Sequence, residues 1–179
     1  MSAKTVYILL FRGVGGATQL PVKPLREALT KAGFENVGTY INSGNAYLRT
    51  DLPKAKMLEA VTRICREEFG FTKEIHAPTL AEWRKVIANN PFPDFREGKH
   101  LHAAWLDGKP KPEAVEALRE LCVDGEGIEI VGHAAYLHTP HGFGRSKLAE
   151  KFDRLIGVPN TARNWNSVLK LLELAERAA

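Results

Sequence analysis

Two glycine-rich segments with basic residues are the parts of this 179-residue chain best suited to chemistry. The first glycine loop is Arg12-Gly13-Val14-Gly15-Gly16, and the second is Pro140-His141-Gly142-Phe143-Gly144-Arg145-Ser146-Lys147. Each follows a β-prone run and precedes a helical pattern. Glycines let backbone N–H groups converge on an anion, and the basic side chains add positive charge. Both loops therefore predict binding of a phosphate-bearing ligand. The alternative is that the glycines serve tight turns and the charges lie in solvent.

The second glycine loop has the stronger pattern for an anion. Ser146 suits the N-cap of the following helix, so the first N–H groups of that helix would face outward at its positive end. Arg145 and Lys147 flank this end, and Gly142 and Gly144 permit a close approach. The first glycine loop is neither GxGxxG nor GxxxxGK[ST], which excludes a dinucleotide-binding or P-loop assignment.

Metal binding and covalent catalysis have no sequence support. Six histidines are present, but HExxH, CxxC and comparable ligand spacings are absent, so we predict no metal and no cofactor. Cys65 and Cys122 fall on apolar helical stripes and are predicted to be core residues, not a disulfide. No serine lies in a G-x-S-x-G elbow, and the catalytic residues, if the protein is an enzyme, stay unknown.

Composition allows three classes of function. Residues 1–90 carry 13 Lys/Arg against 8 Asp/Glu (net +5), and residues 91–179 carry 12 against 13 (net −1). The basic half favours a phosphate-bearing ligand or nucleic acid as partner. An enzyme acting on a small anionic substrate at the same loops, or an interaction module or dimer without a ligand site, would fit as well. No run is long enough to span a membrane, which predicts a cytoplasmic protein; the oligomeric state is open.

Periodicity predicts an α+β fold in two related βαββ-type halves. Residues 5–77 show the order β-α-β-β-α-β, which is the ferredoxin-like pattern, and a short helix follows with Thr79 as its N-cap. The proline-rich segment 89–99 separates residues 1–90 from residues 91–179, which we expect to pack as one compact unit. The second half shows the order β-α-β-β-α-α, with a helix from about residue 161 in place of the closing strand.

Three stretches together resemble one family. They are FRGVGGATQLPVKPLREALTKAGFENVGTYINSGNAYLRT (11–50), GFGRSKL (142–148) and TARNWNSVLKLLELA (161–175). The chain is similar to the bacterial family known as domain of unknown function 1697. The resemblance implies a duplicated βαββ-type α+β fold and brings no activity, substrate or catalytic residue. The family's first loop usually reads Arg-Gly-Ile-Asn-Val-Gly-Gly, so the loop here is shorter and lacks that asparagine.

Overall fold

A computed structural model describes residues 2–15, 18–94 and 97–179. The strands in these residues are β1 (Thr5–Phe11), β2 (Glu35–Thr39), β3 (Asn45–Thr50), β4 (Ile75–His76), β5 (Leu101–Leu106), β6 (Gly127–Val131), β7 (Ala134–His138) and β8 (Asn160–Asn164). The helices are α1 (Val22–Lys31), α2 (Lys54–Phe69), α3 (Leu80–Ala88), α4 (Pro112–Arg119), α5 (Lys147–Ile156) and α6 (Trp165–Arg177). A short 3-10 turn, Phe143–Arg145, precedes α5.

The strands form two antiparallel sheets with the same internal order, which confirms the predicted α+β class. The first sheet has the order β2-β3-β1-β4, and the second has the order β6-β7-β5-β8. In each sheet, the strand that comes first in sequence lies between the third and the fourth. The residues Val6–Phe11 are all buried, as expected for a strand that is apolar on both faces.

The second half has a closing strand, so the prediction that helices take its place is wrong. Strand β8 pairs with β5 along its whole length, from Leu106 opposite Asn160 to His102 opposite Asn164. Its sequence, NTARN, shows neither an apolar run nor alternation, and pairing with β5 overrides this weak local preference. Helix α6 consequently begins at Trp165. Asn164 is its N-cap, because Asn164 Oδ1 accepts the N–H of Ser167 at 2.9 Å.

Backbone hydrogen bonds at the ends of β1 and β5 match position by position. The N–H of the last residue of β1 or β5 donates to the carbonyl of the residue just before β3 or β7. The N–H of the next residue donates to the carbonyl of the residue just before β4 or β8. These bonds are Phe11 N to Gly44 O (2.8 Å), Leu106 N to His133 O (2.8 Å), Arg12 N to Glu74 O (2.9 Å) and Asp107 N to Pro159 O (2.9 Å). The two halves are therefore similar in backbone detail as well as in element order.

The helix boundaries follow the predicted caps. Glu82 N donates to Thr79 Oγ1 at 3.1 Å, and Thr79 N donates to Glu82 Oε2 at 2.7 Å, which makes a capping box at the start of α3. Gly70 ends α2 with φ at 68°, a left-handed conformation that glycine adopts without strain. The N-cap at Thr79 is as the sequence predicted.

The chain divides into two compact units, Met1–Trp83 with Leu171–Ala179, and Arg84–Lys170. In the first unit, Tyr7, Leu9 and Phe11 of β1 belong to a core with residues of α1 and α2. In the second unit, Ala104 and Leu106 of β5 belong to a core with residues of α4 and α5. The unit boundary falls within α3 and again within α6.

Candidate anion-binding site

The second glycine loop has a compact backbone that its own hydrogen bonds fix. The N–H of Gly142 donates to the Thr139 carbonyl at 3.0 Å, and the N–H of Arg145 donates to the Gly142 carbonyl at 3.3 Å. The N–H of Ser146 donates to the Phe143 carbonyl at 3.3 Å. Gly142 has φ at 107°, a value that side chains strongly disfavour, so glycine is required there.

Side chains on both sides of this loop hold it in place. His141 Nε2 and His138 Nδ1 lie 3.1 and 3.0 Å from the carbonyl oxygens of Asp124 and Gly125. Because a carbonyl only accepts, these ring nitrogens carry the hydrogen and donate it. The Phe143 ring stacks on His102 of β5 with centroids 3.9 Å apart. The loop is thus held against the turn before β6 and against the sheet.

The loop ends at a capped helix start with two exposed cations. Ser146 is buried, and its Oγ accepts the N–H of Ala149 at 3.2 Å, which confirms the predicted N-cap of α5. The N–H groups of Lys147 and Leu148 have no intrahelical acceptor at this position. Arg145 and Lys147 are exposed, and neither forms an ion pair within the described part of the chain. Positive charge and N–H donors therefore coincide at this helix end.

One acidic side chain in the first turn of α5 opposes this charge. Glu150 is exposed there, so the two cations at the helix start leave a net local charge of one. A carboxylate near a helix N-terminus interacts favourably with the helix dipole and competes with an incoming anion. Glu150 therefore reduces the positive charge at this helix end.

A histidine beneath the loop is held in its neutral form. Burial lowers the pKa of His102 to about 4, so the ring that stacks on Phe143 is uncharged at neutral pH. His102 Nδ1 and the fully buried Thr139 Oγ1 have no hydrogen-bond partner among residues 2–15, 18–94 and 97–179. Polar atoms of this kind are rare in protein interiors, and here they lie at the base of the second glycine loop.

The first glycine loop uses much of its backbone internally. Gly15 N donates to Thr18 O at 3.2 Å, and Thr18 N donates to Gly15 O at 3.0 Å, so both N–H groups have internal acceptors. The Gly13 carbonyl accepts a hydrogen bond from Lys73 Nζ at 3.1 Å. With the N–H of Arg12 bonded to Glu74, two of the amides predicted to face an anion are already occupied. Gly16, also a predicted ligand-binding residue, lies outside the described residues.

The two glycine loops do not occupy equivalent positions in the two sheets. The first follows β1, whereas the second follows β7, the counterpart of β3. The counterpart of the first loop is the segment 107–111 after β5, which sequence reasoning missed. It also missed Lys73, which the pairing of Phe11 with Ile75 brings beside Gly13. The strand register would have revealed both.

The described residues contain no cluster of metal-ligating side chains and no disulfide. No group of three or more His, Cys, Asp or Glu side chains there could hold a metal ion. Cys65 and Cys122 are both free, and burial raises the pKa of the Cys65 thiol to about 11. Within the same residues, no helix has the length and apolar character needed to cross a membrane.

Comparisons with known proteins place the chain by family and by fold. Residues 4–136 match the family model described as "Protein of unknown function (DUF1697)", and the protein belongs to this family. One similar solved structure is that of the conserved bacterial protein SP0830 from Streptococcus pneumoniae, with a TM-score of 0.76. It is 21% identical and the match covers 97% of this chain and 99% of the other, so the likeness concerns the fold. No curated protein matches the chain significantly.

Proposed function

We propose that the protein binds a phosphate-bearing ligand at the second glycine loop, with nucleic acid as the first class to test. The observation that carries this proposal is the start of α5. There, the exposed cations Arg145 and Lys147 flank a helix end capped by Ser146, and neither has an ion-pair partner in the described chain. A phosphate would receive charge from these side chains and hydrogen bonds from the first N–H groups of the helix.

The rigidity of the loop supports this proposal. Binding costs free energy when flexible groups must be ordered, and a loop that is already held loses less. His138 and His141 fix the second glycine loop through backbone carbonyls, and Phe143 fixes it against His102. The first glycine loop is the weaker candidate because its Gly15 amide and the N–H of Arg12 are engaged internally.

Salt dependence of oligonucleotide binding tests the proposal. Each phosphate contact by a lysine or arginine gives a log–log salt slope of roughly −0.9 for duplex DNA, and two or three contacts keep Kd near ~10⁻⁴ to 10⁻⁶ M. Fluorescence anisotropy with labelled single- and double-stranded oligonucleotides measures both quantities. The double variant Arg145→Ala/Lys147→Ala should reduce the magnitude of the slope by nearly two, because two phosphate contacts are lost. Arg12→Ala should reduce it by about one if the first loop also binds.

Two controls separate site binding from general charge. Lys31→Ala/Lys85→Ala removes two exposed lysines that form no ion pair in the described residues, and it should leave affinity nearly unchanged. Glu150→Gln removes the opposing carboxylate and should strengthen binding. No binding at about 20–50 mM salt, where counterion release favours it most, contradicts nucleic acid binding. Equal losses in both double variants contradict the second glycine loop as the site.

An enzyme acting on a small anionic substrate would need a proton-transfer group at this loop. The two histidines nearest in sequence, His138 and His141, each donate a ring N–H to a backbone carbonyl, which is a positioning role. We therefore advance ligand binding rather than catalysis. Binding of inorganic sulfate or a mononucleotide without oligonucleotide binding would favour the enzyme.

We also propose that the two halves descend from one duplicated ferredoxin-like unit. The predicted pattern β-α-β-β-α-β, the common strand order and the four matching backbone bonds at the ends of β1 and β5 support this. Separate expression of the halves would not test a common origin. A structural superposition of residues 5–76 on residues 101–164 would test it. If the central strands and their flanking helices did not superpose together, the proposal would be contradicted.

A further inference from the structure

A groove in the unit 84–170 lies apart in sequence from both glycine loops. Its volume is about 700 Å³, and it is lined by residues from the segment after β5, from α4 and from the β6–β7 hairpin. The walls include Pro110, Val115 and Ile130, so much of the surface is apolar. This volume is within the range of small-molecule sites, roughly 300–1,000 Å³.

One polar group in this groove is held in a fixed orientation. His133 Nδ1 lies 3.3 Å from the Leu106 carbonyl oxygen, so Nδ1 carries the hydrogen. The ring also stacks on Trp105, with centroids 5.1 Å apart and an interplanar angle of 21°. Trp105 is itself fixed, because its Nε1 donates to Asp107 Oδ1 at 2.9 Å. Trp105 is buried whereas His133 is exposed, so the stack presents an aromatic ring to the groove.

The charge in the groove that is available to a ligand comes from Lys109. Arg119 is already engaged with Glu116 at 2.6 Å and with Glu129 at 3.3 Å. Lys109 is exposed and forms no ion pair in the part of the chain that the structure describes. A ligand therefore finds in one groove an aromatic face, an apolar wall, the Arg119–Glu116 ion pair and the cation Lys109, which has no ion pair among the described residues.

We infer that this groove binds a planar aromatic compound carrying one negatively charged substituent. The ring continues the Trp105–His133 stack, with its edge against Val115 and Ile130, and the anionic group lies toward Lys109. Offset stacking of aromatic rings and burial of apolar area supply the attraction, and the cation sets the orientation. This inference is independent of the proposed function, because it concerns different residues.

Titration of the ¹⁵N-labelled full-length protein with benzoate tests it by two-dimensional NMR. The amide signals of Gly108 and Gly132 and the indole N–H signal of Trp105 should shift together and saturate. Cyclohexanecarboxylate, which has the charge without the planar ring, and benzyl alcohol, which has the ring without the charge, should each bind at least about fivefold more weakly, the change that a single modest contact contributes.

Variants identify the residues responsible. His133→Ala and Lys109→Ala should each weaken benzoate binding by about fivefold or more, whereas Lys85→Ala should not. His133→Asn provides a second variant if the alanine substitution disturbs the hairpin, and well-dispersed spectra establish that each variant is folded. Arg145→Ala/Lys147→Ala should keep full benzoate affinity, which separates this groove from the second glycine loop. Absence of shifts at the groove, or equal binding of benzoate and cyclohexanecarboxylate, would overturn the inference.

Discussion

The exits of the two central strands share a backbone arrangement and differ in their side chains. After β1 and after β5, corresponding N–H groups donate to corresponding carbonyls at nearly equal distances. Arg12 in the first unit corresponds to Asp107 in the second, and Gly44 corresponds to His133. The comparison indicates that the sheet fixes the backbone here, while the side chains at these positions are free to differ in chemistry.

The grooves beside the two exits are not equivalent. In the first unit, the groove beside the loop after β1 has a volume of about 310 Å³ and includes Lys73. A Cβ at Gly44 would lie 2.8 Å from the Phe11 carbonyl, so the site that carries an imidazole in the second unit accepts no side chain here. The larger groove of the second unit has His133 instead. The first groove is lined by the segment before β4 and the second by the hairpin before β7, so the two exits border grooves at different places and of different chemistry.

The largest expected effect concerns the helices that follow the closing strands. Trp165→Ala should lower the free energy of unfolding by ~3–5 kcal/mol, because the buried ring near Tyr136 leaves a cavity. Leu80→Ala, at the corresponding position of α3, should cost ~2–5 kcal/mol. Urea unfolding measures both, with the half-exposed Leu169→Ala as a control of small effect. A Trp165→Ala midpoint close to wild type, together with lost ligand binding, would show that Trp165 serves a site instead.

The second prediction concerns the loss of stability in acid, which we expect to come from His102 in the second unit. The folded protein holds His102 neutral with a pKa of about 4, against 6.5 for an unperturbed histidine. As pH falls from 6.5 to 4, the unfolded chain binds a proton that the folded chain does not, so the free energy of unfolding falls. Below pH 4 the loss from this residue reaches about 3 kcal/mol. The corresponding residue in β1 is Tyr7, whose pKa burial and Glu82 raise, and it stays neutral over this range.

Urea unfolding across this pH range compares wild type with His102→Gln. The variant should lack this part of the pH dependence, while His141→Gln, at an exposed position, should retain it. His138, whose pKa burial also lowers, contributes in the same direction in every sample, so only the difference between proteins is informative. Identical pH profiles for wild type and His102→Gln would contradict the prediction.

A smaller and more equal effect is expected at the N-caps of α3 and α6. Thr79→Ala and Asn164→Ala each remove a side-chain acceptor for an N–H in the first helical turn, at a cost of ~1 kcal/mol. Thr30→Ala, which removes a hydroxyl that bonds within α1, is the control and should change little. Chemical denaturation measures all three variants. A cost at one cap and none at the other would show that the two helix starts are not equivalent.

The smallest effect is expected where a lysine corresponds to a valine. Lys73 donates to the Gly13 carbonyl, whereas Val158 lies against Gly108 at the corresponding place. Since Lys73 forms an exposed hydrogen bond, Lys73→Val should change the free energy of unfolding by no more than ~0.5–1 kcal/mol. Thermal and urea unfolding check this. A larger loss would mean that the lysine holds the first glycine loop in place.

Local sequence patterns predicted most elements but not all of the sheet. The cap of α3 at Thr79 and the cap of α5 at Ser146 each depend on neighbouring residues, and the structure has them where expected. Strand β8 was missed because the polar residues 160–164 become a strand through pairing with β5. No local signal in the sequence predicts such a pairing.

The candidate sites divide in the same way. Glycines, cations and a capping serine identified the second glycine loop from sequence alone. The bond between Gly15 and Thr18 was not predictable, because nothing in the composition of a loop says which carbonyl its amides will meet. Strand pairing and register bring Lys73 and His133 to their positions. Their roles can therefore be predicted only when the order of the strands is known.

The division of the chain into units has a consequence for its synthesis. The first unit combines Met1–Trp83 with Leu171–Ala179, and Asn36 Nδ2 donates to the Ala178 carbonyl at 2.9 Å. A ribosome delivers the chain from its N-terminus at about 5–20 residues per second, and domains usually fold as they emerge. Here the unit that emerges first cannot complete its contacts until residues 171–179 have been made. The second unit is made later, but it is one continuous segment, so all of its residues are present once Lys170 has been added.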